Sequence, residues 1–207
     1  MGDGVTFDRA ALLGAFDAIG RAANAHGTML DIAVYGGSAL MLASNFRFAT
    51  EDVDMAELGE PWPEWLRAAT AAIARSEGWS PDWLNEAVQF HLSPLASKAA
   101  DHHEFGSFPR DGELGLRIIV PSLDYMLALK LKAMRINDPA KGAVELADIR
   151  NLLRAGGVAT IEDALAILGR FFPRSAREPD AQRFFLKHIW PGEEPSDDPP
   201  RYPIRLP

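Results

Sequence analysis

The chain has 207 residues, of which 47% are hydrophobic and 24% charged, and a net charge of −8. That length and balance predict one globular domain, with or without an appendage, and enough core to fold without staples. The lack of cysteine excludes a disulfide framework, a thiolate metal site and a cysteine nucleophile, and the acidic balance disfavours a module that grips nucleic acid through a basic face.

Residues 7–26 read as an amphipathic helix, with Leu12, Leu13, Phe16, Ile19 and Ala23 on one face and Gly27 as its stop. A strand follows at Leu30–Tyr35, running into Gly36-Gly37-Ser38 and a short helix through Ala43. Asp52–Met55 reads as a second short strand. Pro61-Trp62-Pro63-Glu64 opens a helix to about Ser76, with Trp62 and Trp65 on one face as core residues. Val88–Leu92 and Leu114–Val120 are β-branched runs and predict strands, with residues 93–112 between them as a loop or an irregular hairpin.

The second half predicts helices only. Ser122 can cap one to about Ile136, ended by Asn137-Asp138-Pro139, and another runs from Ala143 to Ala155, stopped by Gly156-Gly157. Thr160 with Asp163 has the capping-box spacing for residues 161–172, and a last helix covers Asp180–Ile189. The stretch 191–207 has six prolines and no period, which predicts an extended tail, disordered or laid on the surface. The expected plan is α/β (α+β): a core over 1–120 with a small mixed sheet, a helical half over 121–190 packed on it, and the tail. No run approaches the ~18 apolar residues of a membrane span. Met1-Gly2-Asp3-Gly4 lacks the charged and apolar parts of a signal peptide, so a cytoplasmic location and no membrane partner are expected.

Chemistry concentrates in one short segment. A glycine pair between strand and helix lets backbone come close to a ligand, and the helix start offers free N–H groups to phosphate. Ser38 adds a hydroxyl there. In Asp52-Val53-Asp54, strand alternation sends both carboxylates to one face, ~7 Å apart, where they can share a divalent ion. Oxygen ligands with a phosphate cradle select Mg²⁺ or Mn²⁺ over zinc. Arg47 and Thr50, on the connecting loop, can contact phosphate or sugar. A Gly-Gly pair alone is commonly a turn and an Asp-x-Asp alone a solvated strand edge; their order in one segment is what points to a metal–NTP site.

The segment Val34-Tyr35-Gly36-Gly37-Ser38-Ala39-Leu40, with Arg47 and Thr50-Glu51-Asp52-Val53-Asp54, resembles the signature of the DNA polymerase beta-type nucleotidyltransferase superfamily. Its minimal prokaryotic branch, which includes the AbiEii-like toxins of abortive-infection and type IV toxin–antitoxin systems, is the nearer likeness. That branch follows with a leucine-rich helix carrying a lysine and a helix with a Lys-Asp-x-x-Asp motif. Pro121–Ala133, with Lys130, and Glu145–Leu153, with Asp148, are the matching stretches, so the likeness spans about residues 30–155. It implies a nucleotidyltransferase fold, Mg²⁺ on Asp52 and Asp54, and an NTP held by Gly36, Gly37, Ser38, Arg47 and Thr50. It also implies catalytic roles for Asp52, Asp54, Lys130 and Asp148, transfer to an RNA (such as a tRNA end) or protein hydroxyl, and a cognate antitoxin. Two departures stand out: Val144 and Glu145 replace the motif's lysine and first aspartate, and Leu116–Val120 carries no third carboxylate, Glu113 being nearest. The alternative is a nucleotide-binding or partner-binding module of the same fold without catalysis.

The two helices also speak by themselves. Leu123, Met126, Leu127, Leu131 and Met134 form an apolar stripe that contains Lys130. A lysine there needs an anionic partner or must snorkel to water. Asp148, at the edge of its helix's apolar face, can pair with Lys130, position a hydroxyl, or be solvated. Arg110, Arg117, Lys130, Lys132 and Arg135 are the residues available for a local basic patch. Asp101-His102-His103-Glu104 has metal-ligand residue types, but adjacent positions in a loop predict no zinc site.

Overall fold

Asp8 ends a two-residue strand, β1 (Phe7–Asp8), and caps the first helix, α1 (Arg9–Ala25), by accepting the Ala11 backbone N–H at 2.9 Å. The predicted face of α1, from Leu12 to Ala23, is buried. The computed structural model describes residues 5–57, 62–133, 142–177, 179–190 and 197–206. Within them β2 (Leu30–Val34) leads into α2 (Gly36–Ala43), followed by β3 (Ala49–Thr50), β4 (Val53–Glu57) and α3 (Glu64–Glu77). Then come β5 (Leu84–Asn85), a 3-10 helix (Ala87–His91), β6 (His102–Phe108) and β7 (Leu116–Pro121). The described helices that remain are α4 (Leu123–Ala133), α5 (Gly142–Ala155), α6 (Ile161–Phe171) and α7 (Asp180–Ile189).

The fold is mixed α/β. A five-stranded sheet has the order β5-β4-β2-β7-β6, and β1 pairs with β3 in a separate two-stranded sheet. β2 lies at its centre, parallel to β7 and antiparallel to β4, with Val34 opposite Met55. Such a strand is covered on both faces, which fits Ile32, Ala33 and Val34 being buried. α2 is buried from Ser38 to Ala43, as a helix apolar on every side must be. Each of its leucines removed from water contributes about 1.5–3 kcal/mol. The helical half packs through α4 against α5 and α6, and Leu127, Leu131, Leu152 and Leu168 are fully buried there.

Two expectations need correction. Val88–Leu92 is not a strand: Ala87–His91 turns as a 3-10 helix, started by Asn85 Oδ1 accepting the Ala87 N–H at 3.0 Å. Residues 93–112, read as loop or irregular hairpin, contain the full strand β6, antiparallel to β7. A register shift between Glu104 and Gly106 breaks the alternation a sequence reading depends on. His102 and His103 therefore lie on a strand rather than in a loop. Trp62, Trp65, Trp79 and Trp83 behave as core: Trp79 and Trp83 are buried, Trp62 and Trp65 pack in part against the hydrophobic core, and Trp83 Nε1 donates to the Thr70 carbonyl.

Ser122 Oγ accepts the Tyr125 N–H as α4 begins, and the Thr160–Asp163 capping box is present on α6. The expected stop at Asn137-Asp138-Pro139 and residue Met134 lie outside the described residues. Residues 197–206 run over the body of the protein without regular structure. Asn45 holds the Pro199 carbonyl and the Arg201 N–H, Ile204 N–H donates to Ala43, and Leu206 N–H donates to Phe105. The Tyr202 hydroxyl, buried, donates to the Pro121 carbonyl at 2.8 Å.

Candidate active site

A cleft of about 700 Å³ opens where the start of α2 meets β4, the 3-10 helix, and the facing sides of α4 and α5. Its charged side carries Gly36, Gly37, Arg47, Asp52, Asp54 and Lys130. Strand alternation accounts for the acids: Val53 and Met55 are buried in the core, while Asp52 and Asp54 are half-buried and line the cleft. The backbone is fixed at the same point, because the Tyr35 N–H donates to the Asp54 carbonyl at 2.8 Å.

The glycine pair has a steric reason. Gly36 has φ +62°, and a Cβ there would stand 2.8 Å from Asp54 Oδ2. A Cβ on Gly37 would stand 2.9 Å from Arg47 Nη2. Only residues without side chains let the acid and the guanidinium close on the helix start, which has no side-chain cap.

Lys130 neither snorkels nor stands alone. Its Nζ donates to Glu145 Oε1 at 2.9 Å and to Asp148 Oδ2 at 2.8 Å. Arg47 Nη1 donates to the same Asp148 oxygen at 3.0 Å, and Arg47 Nε to the Ala49 carbonyl. Asp148 is thus buried between two cations rather than solvated. It does not line the cleft; Arg47, Lys130 and Glu145 do.

The two hydroxyls predicted for phosphate are differently placed. Ser38 is buried and donates to the Tyr35 carbonyl at 2.8 Å, so its Oγ serves the helix start instead of facing the cleft. Thr50 lines the cleft, but its hydroxyl donates to the Asp52 carbonyl and fixes the turn before β4.

Tyr35 and Glu145 are cleft residues that motif reading passed over as contributors. The Tyr35 hydroxyl is 3.0 Å from His102 Nε2, and His102 Nδ1 is 3.2 Å from the Ser97 carbonyl. A carbonyl only accepts, so Nδ1 carries the proton and Nε2 receives the Tyr35 O–H. Burial pushes the His102 pKa down and the Tyr35 pKa up, which keeps both neutral. The signal for Tyr35 was its place directly before the glycine pair.

No family model, curated protein or solved structure matches the chain significantly. Among the described residues no group of three or more histidines and carboxylates is placed to hold a metal. Asp52 and Asp54 fit an ion that arrives with its own oxygen ligands, since Mg²⁺ is commonly held by one or two carboxylates plus substrate phosphates. Glu113 lies beside the Gly115–Leu30 end of the sheet, opposite the cleft, and cannot join them. Among the described residues, the basic side chains expected for a patch are each engaged by a partner. Arg110 is held by Asp17, Arg117 by Asp31, and Lys132 by the His91 carbonyl, while Arg135 lies outside the described residues. Among the described residues no helix is long and apolar enough to cross a membrane.

Proposed function

We propose that this chain is a magnesium-dependent nucleotidyltransferase of the DNA polymerase beta type, moving a nucleoside monophosphate from an NTP to an acceptor hydroxyl. One observation carries the reading: a glycine-paired helix start, two carboxylates and two held cations line a single cleft. Asp52 and Asp54 would hold Mg²⁺ (or Mn²⁺), which when bound neutralises phosphate charge and polarises the reacting phosphorus. The uncapped N–H groups of α2 would receive the β- and γ-phosphates, which Gly36 and Gly37 allow to approach. The acceptor oxygen forms its bond to the α-phosphorus as the bond to pyrophosphate breaks, and the hydroxyl proton leaves to water in the cleft. Lys130 and Arg47 offset the charge on the leaving pyrophosphate, and Asp148 positions both cations without touching substrate.

An RNA or protein acceptor, a toxin role and a cognate antitoxin are supported by the resemblance of residues 30–155 alone. A second reading, a nucleotide-binding module without catalysis, is favoured by the lack, among the described residues, of a third carboxylate placed to share a metal with Asp52 and Asp54.

Labelled NTPs incubated with Mg²⁺ or Mn²⁺, RNA and protein acceptors separate the two. Metal-dependent transfer that is lost in Asp54→Ala supports the enzyme. NTP binding with no turnover on any acceptor supports the module. A bound ligand at 100 times its Kd adds ~2.7 kcal/mol to stability. Absence of any Tm rise with the four NTPs and Mg²⁺ overturns both.

A further inference from the structure

The cleft has a second side that the phosphate chemistry leaves unused. α4 turns Met126, Leu129 and Ala133 toward it, at the i, i+3, i+7 spacing of one helix face. The 3-10 helix adds Ala87 and Val88, and α5 adds Val144 at its start. Lys132 Nζ donates to the His91 carbonyl at 2.8 Å and lies 4.4 Å from the Phe172 ring centroid, so it ties the 3-10 helix to α4. That leaves its charge engaged. Phe48, 73% exposed, stands at the mouth of the same cleft.

We propose that this apolar side seats the base of the nucleotide and selects by ring area rather than by hydrogen bonds to the base edges. The inference rests on the nucleotidyltransferase reading and deepens it. An apolar wall joined to a charged floor has the polarity of an NTP, whose flat ring must leave water as its phosphates are bound. The volume, about 700 Å³, lies in the range of sites that enclose such a ligand. The side chains of Val88, Leu129, Ala133 and Val144 have no donor or acceptor with which to read an edge. All four bases therefore enter, and purines, which bury more surface, bind more tightly than pyrimidines. His91 is the imidazole on this wall and supplies the control.

The experiment measures Kd for the four Mg²⁺–NTPs and for Mg²⁺–tripolyphosphate, which has the phosphates but no base. The wild type is expected to bind NTPs about tenfold more tightly than tripolyphosphate, with ATP and GTP ahead of CTP and UTP by a factor of about five. Phe48→Ala, at an exposed site, and Leu129→Ala, at a half-buried one, are expected to remove most of the tenfold advantage and leave tripolyphosphate binding unchanged. His91→Ala is expected to leave the order of the four NTPs as it was. The base seat is overturned if NTPs bind no better than tripolyphosphate. It is equally overturned if one base is preferred by more than about a hundredfold, the mark of edge recognition, or if Phe48→Ala weakens both ligands alike. In each of these cases phosphate binding stands. If neither ligand binds the wild type, the nucleotidyltransferase reading falls and takes the base seat with it.

Discussion

Two groups of opposite charges join distant parts of this chain, and burial separates what they do. Beside the cleft, Glu145, Lys130, Asp148 and Arg47 alternate in sign, with the Lys130 and Asp148 side chains 6% and 3% exposed. On the sheet, Asp31 sits opposite Arg117 across β2 and β7 and accepts from its Nε and Nη2 at 2.8 and 2.9 Å. There the side chains are 31% and 40% exposed. Water screens the second pair, which holds a register at little net gain. The first group is expensive to desolvate, and apolar residues of similar volume would serve stability as well. Two charges kept out of water, with two half-buried partners at the cleft wall, are better explained by what the cleft binds than by what the fold needs.

The comparison can be broken most directly at Lys130. Lys130→Met strands Asp148 and Glu145 with one cation fewer, and urea unfolding is expected to show a loss of about 3–5 kcal/mol. NTP affinity measured on the folded fraction should fall with it. A loss no larger than that of Arg117→Ala would erase the distinction.

Replacing the whole group sharpens it. Arg47→Met, Lys130→Met, Glu145→Leu and Asp148→Leu together should recover to within about 2 kcal/mol of wild type. The same protein should show no Tm rise with Mg²⁺–NTP. Recovery of both stability and binding would make the charges structural.

Asp17 and Arg110 form an intermediate case, a buried acid with a partly exposed partner. Burial alone would raise the Asp17 pKa, but the Arg110 guanidinium, at 2.6 and 2.9 Å, and its backbone N–H, at 2.7 Å, hold it below the usual range. A lowered folded-state pKa gives stability that is complete above about pH 3.9, the unfolded value, and is lost as pH falls through the folded one. Arg110→Ala should therefore cost about 1–3 kcal/mol at pH 7. Its difference from wild type should shrink in unfolding curves taken below pH 3.9. A difference independent of pH would assign the loss to packing.

The smallest effect belongs to the exposed pair. Arg117→Ala should cost less than about 1 kcal/mol, and less still in 1 M salt. Thermal melts at two salt concentrations read it.

Much of this was legible before folding. Alternation in Asp52-Val53-Asp54 put the acids on one face, and the lysine inside an apolar stripe called for an anionic partner or a route to water. The missed parts share a cause. β3 and β5 have two residues each, too few to show a period. β6 hid behind its register shift, and Val88 reads as strand until Asn85 turns the chain. Ser38 has the right chemistry at the right place, but a helix start offers its hydroxyl a carbonyl three residues back, and local geometry won. Leu129 and Ala133 lay outside the apolar stripe read from the sequence, and only the fold shows that they line a cavity.

The latch over α2 has a consequence for the order of events during synthesis. Asn45, just beyond that helix, receives partners 154 and 156 positions later in the chain. At 5–20 residues per second the ribosome takes about 8–30 s to supply them. For that interval α2, whose other end shapes the cleft, is held without its strap. A nascent chain paused before residue 197 should therefore carry a looser end to α2 around Ala43–Asn45 than the released one.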